Sequence, residues 1–417
     1  MQYNNDCVAC GGSNLCEVLS LGEQCPANDL LAERESPFNE YPLGLNACDD
    51  CGHGQLTYLV DPSELFKNYM YVSSTSQTMQ KYMASLAKFI LTLKGSEASV
   101  LEIGSNDGLF LKSLKGYGIN NFIGIDPAEN IVKEVIASGL NSVVGFWPDD
   151  KDLIGNDSFD IIIGQNVFAH TARPFDALVE VKNSLKSDGL AIFQTSQADM
   201  TVNGEFDTIY HEHFSFFSET SMQALADRAG LKLVYTRYVD MHGTSSLYIM
   251  CHKDSNVDIS MLHNSADSAG LANIEATDDA ERQRYIRNKS DWVNFKQSAL
   301  EKIDSVRQYT YVFKENGKDI VAVGAAAKAI TFLRAADINP DRFLDESSLK
   351  LGKYIAGLDV QISDFSNVSD NDVYIITAWN FAGEIARKLI ESGASEDSDC
   401  LLYFPRVSHM KLRDLAF

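Results

Sequence analysis

The stretch "SVLEIGSNDGLFLKSLKGYG", residues 99–118, decides the fold. Its short apolar run, from Val100 to Ile103, predicts a buried strand, and apolar residues after Gly108 recur at helical spacing. Between strand and helix, glycines let the backbone turn sharply and approach a ligand closely. The stretch therefore predicts the first strand–loop–helix unit of a doubly wound α/β domain, with a ligand at the loop.

The spacing of the acid and the glycines indicates which ligand. Glu102, Gly104 and Gly108 fit the first strand and loop of a methyltransferase domain, where an acidic side chain lies near the amino acid end of S-adenosylmethionine. Dinucleotide folds use similar loops, but Asn106 stands where the GxGxxG pattern needs its second glycine.

The next segments favour S-adenosylmethionine over NAD. "NFIGIDPAEN", residues 121–130, carries Asp126 about 20 residues past the loop, where an acid can bind both ribose hydroxyls. An N-cap of the next helix is the alternative role for Asp126. Two further strands follow in "SFDIIIGQNVFAHT" and "GLAIFQTSQ". The candidate cofactor-binding positions are Glu102, Gly104, Asn106, Asp107, Asp126, Pro127 and Asn166.

Six of the eight cysteines lie within the first 51 residues. The pairs "CVAC" and "CDDC" each form a knuckle that can hold two corners of a tetrahedron, and two knuckles complete a closed zinc site. Such a site has no open position, so the zinc should be structural. Redox or incidental thiols are the alternative, and His53 could replace one ligand. The predicted zinc ligands are Cys7, Cys10, Cys48 and Cys51.

Residues 207–218, "DTIYHEHFSFFS", place four polar side chains in consecutive positions after the fifth strand. Substrates meet the cofactor on this side of an open parallel sheet. His170, in the loop after the fourth strand, should lie there too. The alternative for each of these side chains is a buried polar group whose hydrogen bonds are satisfied within the protein. Candidate catalytic residues are Tyr210, Glu212, His213 and His170, whereas His211 should face away.

Length and charge limit the function classes. A chain of 417 residues is long enough for two or three domains. Its 35 basic and 58 acidic residues give a formal charge of −23, which disfavours binding to nucleic acid and to anionic membranes. No apolar run reaches membrane-spanning length, so a cytoplasmic protein is expected.

Several motifs in one order resemble the bacterial C-methyltransferases that act on nucleotide-linked 4-keto-deoxysugars. They are the two cysteine pairs with "LGEQCPAN" between them, "YMYVSSTS", "EIGSNDG", "YHEHFSFFS", "HGTSS", "VGAAAKAITFL" and "WNFAGEI". The resemblance implies an α/β chain with a zinc-binding domain (1–65), a class I, Rossmann-like methyltransferase domain (66–255) and a Rossmann-like domain (256–417). It also implies further cofactor contacts from Tyr71 and Ser74 and a nucleotide-linked ketosugar as substrate. A monomer or weak oligomer is expected.

The C-terminal third repeats the strand–turn–helix plan without a cofactor motif of its own. Lys328, in "DIVAVGAAAKAITFLRAADI", could meet a diphosphate at a helix N-terminus, or it could be a solvated lysine beside a packing contact. Together with the "HGTSS" and "WNFAGEI" motifs, this predicts substrate-binding roles for His242, Ser245, Lys328, Trp379 and Asn380.

Carbon methylation would explain the four consecutive polar side chains at residues 210–213, the crowded motif. Removing the C3 proton of a 4-ketosugar needs a base and a donor for the enolate oxygen. We expect His213 to be the base, Glu212 to orient the sugar, and Tyr210 and His170 to hold the enolate oxygen. O- or N-methylation of a small metabolite, and a non-catalytic zinc-containing scaffold, are the alternatives.

Overall fold

A computed structural model confirms the predicted α/β class. Three main sheets and twelve α-helices account for most of the chain that it describes. Within that part, no helix is both long and apolar enough to cross a membrane. The described residues are 2–66, 73–75, 77–155, 158–241, 244–271 and 288–416.

The central sheet has seven strands. Five are parallel, and two antiparallel strands extend one edge. The strand Val100–Ile103 is buried along its whole length, because helices cover both faces of such a sheet. The strands, in spatial order, are Leu231–Asp240, Thr244–His252, Leu185–Thr195, Phe159–Gln165, Val100–Ile103, Phe122–Asp126 and Ser142–Val144.

Helices cover the central sheet on both sides. The helix Gln77–Lys94 buries an apolar stripe that includes Leu86, Phe89 and Ile90 against one face. On the other face, Leu178 and Leu225 pack from two neighbouring helices. The helices of this layer are Gln77–Lys94, Leu109–Gly116, Glu129–Ala137, Pro174–Ser184, Glu219–Ala229 and Ile259–Ala269, with a short one at Met200–Asn203.

The helix Ile259–Ala269 lies beyond the predicted domain boundary at residue 255, yet it packs on the central layer. Leu262 and Ala266 are buried in the same core as Leu86. The Lys88 ammonium also donates to the carbonyl of Ser268 over 2.6 Å. The boundaries themselves stay a prediction.

The N-terminal module is a four-stranded antiparallel sheet with a two-stranded ribbon. Its fourth strand, Ser215–Phe216, comes from the predicted methyltransferase domain, so the two units share one sheet. The short helix Pro62–Phe66 follows. The strands are Leu15–Gln24, Tyr41–Cys48, Gly54–Leu56 and Ser215–Phe216, and the ribbon joins Gln2–Tyr3 to Tyr58–Leu59.

The C-terminal sheet has eight strands, and the N-terminal module contributes one edge, Leu30–Leu31. Five central strands are parallel. The helices are Lys289–Glu315, Ala327–Ala335, Ala382–Glu391 and Leu412–Ala416. The strands, in spatial order, are Ser408–Lys411, Asp399–Leu402, Asp372–Ile376, Asp319–Val323, Arg342–Leu344, Val360–Ser363, Tyr354–Ile355 and Leu30–Leu31.

One hydrophobic core joins the N-terminal sheet, the segment after the fifth central strand and the C-terminal sheet. Leu45, Phe214 and Phe332 all belong to it. Phe206 packs 5.7 Å from Phe332 between ring centroids, and Phe332 stacks on Tyr403 at 3.7 Å. The segment that carries the crowded polar motif is therefore held between three parts of the chain.

Candidate active site

A cavity of about 400 Å³ opens at the carboxyl ends of the central parallel strands. Ligands of open α/β sheets bind at this edge. Pro62 reaches it from the N-terminal domain, Gly104 from the loop after the first strand of the central sheet, and Lys328 from the C-terminal domain. All three predicted domains therefore contribute to its wall.

The glycine loop has the geometry that the sequence predicts. Gly104 and Gly108 have φ values of 72° and 73°, which side-chain-bearing residues rarely adopt. A Cβ on Gly104 would meet Val167 at 3.0 Å, and one on Gly108 would meet Val135 at 2.9 Å. The loop therefore has no room for side chains at these two positions.

Asp126 lies on the cavity wall at the end of its strand, next to Pro127. Its two carboxylate oxygens accept the backbone amides of Asn106 and Ala128, each over 2.9 Å. Burial raises the pKa of Asp126, while these two amides lower it. Each oxygen keeps a second lone pair, so the carboxylate can still accept two hydroxyl groups.

Glu102 lies in the strand that leads into the loop, and it is not among the described residues that line the cavity. Burial raises the pKa of Glu102 well above its usual range, and the nearby charges of Asp126 and Asp107 raise it further. Its Oε2 has no hydrogen-bond partner within the described chain. A cationic amino group near this carboxyl would supply the missing partner, so the acid fits the amino acid end of S-adenosylmethionine.

The segment before the helix Gln77–Lys94 is tied to the same loop. The backbone amide of Ser73 donates to Asn106 Oδ1 over 3.1 Å, and that of Ser74 donates to Asp107 Oδ2 over 3.0 Å. Ser73, rather than the predicted Ser74, lines the cavity. Tyr71 lies outside the described residues.

Three non-glycine residues on the cavity wall have positive φ. They are Asn106 at 44°, Asn166 at 55° and Gln197 at 76°. Such conformations are strained for residues with a Cβ and often lie at functional sites. The Oδ1 of Asn166 accepts the amide of Ser196 over 3.1 Å, which holds the ends of two strands together.

His213 is buried on the cavity wall, and its contacts define its tautomer. Nδ1 lies 2.8 Å from the carbonyl of Thr208, which only accepts, so Nδ1 carries the proton. The amide nitrogen of Gln197 lies 2.9 Å from the same nitrogen, and the Gln197 carboxamide can accept the Nδ1 proton only by turning its oxygen to it. Nε2 is then the basic nitrogen, and the Tyr210 hydroxyl donates to it over 2.8 Å. Burial first, and then nearby His170, lower the pKa of His213 well below its usual range, so the ring is neutral.

His170 faces His213 across 4.8 Å between ring centroids. Its Nδ1 donates to the carbonyl of Glu212 over 2.7 Å, and burial lowers the pKa of His170 to about 4. The ring is therefore neutral and leaves Nε2 as an acceptor. Holding an enolate oxygen, the predicted role, would need a donor at this atom, which the neutral tautomer lacks.

The Glu212 carboxylate is not among the described groups that line the cavity. Its Oε1 accepts from Asn28 Nδ2 over 2.6 Å, and burial raises the pKa of Glu212 to about 7. In this arrangement Glu212 contributes to the site through its backbone carbonyl, which fixes the tautomer of His170. His211 points away, toward the Tyr41 carbonyl at 3.3 Å, as expected.

The predicted substrate residues separate into two groups. Lys328 lines the cavity, 3.8 Å from Glu205 Oε2, and lies 5.9 Å from the centre of the Trp379 ring. Ser245 instead donates to the carbonyl of Met241 over 2.7 Å, away from the cavity wall. His242 and the side chain of Asn380 lie outside what the structure describes.

Sequence reasoning missed several lining side chains. Among the polar ones, Gln165 and Gln194 lie near the ends of two apolar strands and Gln197 lies in the loop beyond, which is a weak signal because many strand ends and loops carry such residues. Asn28, the partner of Glu212, lies in the "LGEQCPAN" motif and had no assigned role. The missed lining residues include Phe66, Met83, Trp147, Gln165, Arg173, Gln194, Gln197 and Thr208.

The four predicted zinc ligands come together in the N-terminal module. Their sulfur atoms all lie within 4.8 Å of one another, and the Cys7–Cys51 and Cys10–Cys48 pairs are each 3.6 Å apart. A tetrahedron of zinc–sulfur bonds of about 2.3 Å places its sulfurs about 3.8 Å apart. The four thiols therefore fit a structural zinc ion.

Comparison with known families confirms the order of domains that the resemblance implies. Residues 7–66 match a zinc binding domain, residues 76–236 match a methyltransferase domain, and residues 241–405 match a C-methyltransferase C-terminal domain. These matches confirm S-adenosylmethionine and zinc as the cofactors.

Individual relatives agree with this assignment. The chain is 26% identical to the C-methyltransferase NovU of Streptomyces niveus over 405 residues, which are 93% of this chain and 94% of that protein. A tRNA U34 carboxymethyltransferase of Methylococcus capsulatus is 30% identical over 113 residues, 25% of this chain and 33% of that protein.

Similar solved structures include the CcbJ methyltransferase of Streptomyces caelestis, with 12% identity and a TM-score of 0.35 over 46% of this chain and 95% of that one. Another is the magnesium protoporphyrin IX methyltransferase of Synechocystis PCC 6803, with 12% identity and a TM-score of 0.32 over 42% and 79%.

Proposed function

We propose that this S-adenosylmethionine-dependent C-methyltransferase acts on a nucleotide-linked 4-keto-deoxysugar and methylates it at C3. The observation that carries the proposal is the hydrogen bond from Tyr210 to the basic nitrogen of His213, on the wall of the cavity that the glycine loop also lines. The similarity to a C-methyltransferase over nearly the whole chain supports carbon as the acceptor atom.

A carbon atom becomes a nucleophile when a neighbouring carbonyl accepts the electrons left by its proton. In a 4-ketosugar, loss of the C3 proton leaves the negative charge on the C4 oxygen. S-adenosylmethionine supplies the methyl group, which forms its new bond to C3 as its bond to sulfur breaks. The protein must therefore take one proton and stabilise one oxyanion.

His213 is suited to take the proton, because its Nε2 is unprotonated and faces the cavity wall. Tyr210 donates to that nitrogen in the present arrangement. When its hydroxyl turns to the developing C4 oxyanion, Nε2 becomes uncovered, and the new hydrogen bond to a charged oxygen is the stronger one. His170 then accepts from a hydroxyl of the sugar, as its tautomer allows.

Lys328 supplies positive charge for a nucleotide diphosphate. It lines the cavity, whereas Arg173, the other cationic side chain of the lining within the described chain, is paired with Asp149. Lys328 is only partly exposed and lies beside Trp379, whose ring offers an apolar surface. This supports a role for the C-terminal domain in holding the nucleotide portion.

Hydrogen exchange tests whether the protein removes the C3 proton, independently of methyl transfer. A panel of nucleotide-linked 4-keto-deoxysugars is incubated in deuterated water with the protein and S-adenosylhomocysteine. We expect deuterium at C3, followed in separate reactions with S-adenosylmethionine by a C3-methylated product in the NMR spectrum. Exchange and methylation at C5, the other carbon beside the ketone, would agree with an enolate mechanism but would contradict C3 as the methylated position. A methyl group on oxygen or nitrogen would contradict the proposal.

A further inference from the structure

Two glutamine side chains on the cavity wall have polar atoms without partners. Gln165 and Gln194 are paired in register on neighbouring parallel strands, which places both side chains on the same face. Both line the cavity. The two amide atoms of Gln165 and the Nε2 of Gln194 are buried and have no hydrogen-bond partner within the described chain. Buried amides of this kind normally have partners, so a ligand is the expected one.

The wall around these glutamines is uncharged. Asn166 and Ser196 directly follow their two strands and line the cavity, as does Gln197, which contacts His213. This neutral wall, made of Gln165, Asn166, Gln194, Ser196 and Gln197, therefore adjoins the group that takes the proton in the proposed function.

The carboxylates that line the cavity elsewhere already have partners. Asp126 accepts two backbone amides at the cofactor end. Asp149 forms an ion pair with Arg173. Lys328 adds a further positive charge to the lining. Within the described chain, no unpaired carboxylate lines the cavity to neutralise a substrate cation. Glu102, whose Oε2 has no partner there, is not among the lining residues and is assigned to the amino group of the cofactor.

We propose that Gln165 and Gln194 select a sugar that carries a hydroxyl group, rather than an ammonium group, on the carbon that is methylated. This inference rests on the proposed function and names the class of its substrate. A carboxamide can donate to and accept from a hydroxyl, which matches both of its polar atoms. An ammonium group here would lose its hydration without gaining a counter-ion.

The test compares two nucleotide-linked 4-ketosugars that differ at C3 alone, one with a hydroxyl group and one with an amino group. For the wild-type protein we expect kcat/KM to favour the hydroxy sugar by at least about tenfold. Calorimetry with S-adenosylhomocysteine present should show the same preference in binding, which is independent of methyl transfer.

The variant Gln194→Glu keeps the size of the side chain and adds the missing anion. We expect it to shift the ratio of the two kcat/KM values toward the amino sugar by about tenfold or more, because an ammonium–carboxylate hydrogen bond replaces an unpaired charge. Gln308→Glu adds the same charge on an exposed helix position and should leave the ratio unchanged. Gln165→Glu repeats the test if Gln194→Glu fails to fold.

Three results would overturn the inference, and they can be told apart. A wild-type protein that binds and methylates the amino sugar as well as the hydroxy sugar contradicts it directly. So does an unchanged ratio in a folded Gln194→Glu or Gln165→Glu protein that still binds S-adenosylhomocysteine. If neither sugar binds or reacts, the proposed function is wrong, and this inference is wrong with it.

Discussion

The two ends of the cavity are built in different ways. The cofactor end is formed by backbone turns, namely the loop through Gly104 and the amides that fix Asp126. The reacting end is formed mainly by side chains after the fifth strand. His213 has its partners within 16 residues, whereas Glu212 has a side-chain partner from a distant part of the chain. Asn28 holds Glu212 from 184 residues away. The first end depends on local geometry, and the second depends also on how the domains pack.

This difference predicts that the two ends will fail separately. Substitutions in the N-terminal module should disturb the reacting end first, because that module contacts it through Asn28 and shares a sheet with Ser215–Phe216. The glycine loop is fixed by backbone turns of the central sheet, although the core on one face of that sheet joins Ile103 to Cys7 and Cys48 of the module. Binding of the cofactor should therefore be lost less than methyl transfer when the module is changed.

The largest effect is expected from loss of zinc. Cys48→Ser removes one of four ligands, and metal binding at such sites contributes on the order of 10 kcal/mol to folding. We expect zinc content and methyl transfer to fall sharply and the N-terminal module to unfold at lower temperature. Calorimetric binding of S-adenosylhomocysteine should persist at a temperature where the rest of the chain is folded.

Cys16→Ser is the matched control, because Cys16 lies in the same module outside the four-cysteine cluster. It should keep both zinc and activity. Elemental analysis that finds no zinc in the wild-type protein would contradict the metal site. Equal loss of cofactor binding and methyl transfer in Cys48→Ser would contradict the separation of the two ends.

A change at the reacting end gives the next effect. His213→Asn keeps a polar side chain and removes the base, so hydrogen exchange and methylation should fall together by about 100-fold or more. The affinity for S-adenosylhomocysteine should change little. His409→Asn, at the far edge of the C-terminal sheet, is the control. If His213→Asn exchanges the proton at the wild-type rate, His170 becomes the first alternative base.

A change at the cofactor end should give the opposite result. Asp126→Ala removes the acceptor proposed for two ribose hydroxyls and should weaken cofactor binding by about 1–3 kcal/mol. It also removes the partner of the Asn106 and Ala128 amides, so thermal stability must be measured alongside. With saturating cofactor, methyl transfer should largely recover. Unchanged affinity in a folded variant would mean that the ribose binds elsewhere.

The same difference explains what the sequence could predict. Glu102 and Asp126 lie near the ends of two strands and Gly104 directly follows the first, and these parallel strands are neighbours, so the pattern alone could predict that the three lie at one edge. The tautomer of His213 depends on the Thr208 carbonyl, and that contact does not follow from spacing. The burial of Glu212 against Asn28 likewise needs the packed N-terminal module.

Glu212 gives the smallest expected effect, and it tests whether its carboxyl serves stability or the substrate. Burial raises its pKa to about 7 from an ordinary value of 4.5, so the folded state binds the proton more tightly than the unfolded state. The free energy of unfolding should therefore be greatest below pH 4.5 and should decrease as the pH rises toward 7. Glu212→Gln keeps an acceptor for Asn28 and removes this titration, so the variant should gain on the order of 1 kcal/mol relative to wild type between pH 5 and 8. The exposed Glu33→Gln is the control, and urea unfolding at several pH values provides the measurement. If the wild-type and Glu212→Gln profiles run parallel, the carboxyl is not held in the buried pair with Asn28, and the substrate-orienting role expected from the sequence regains support.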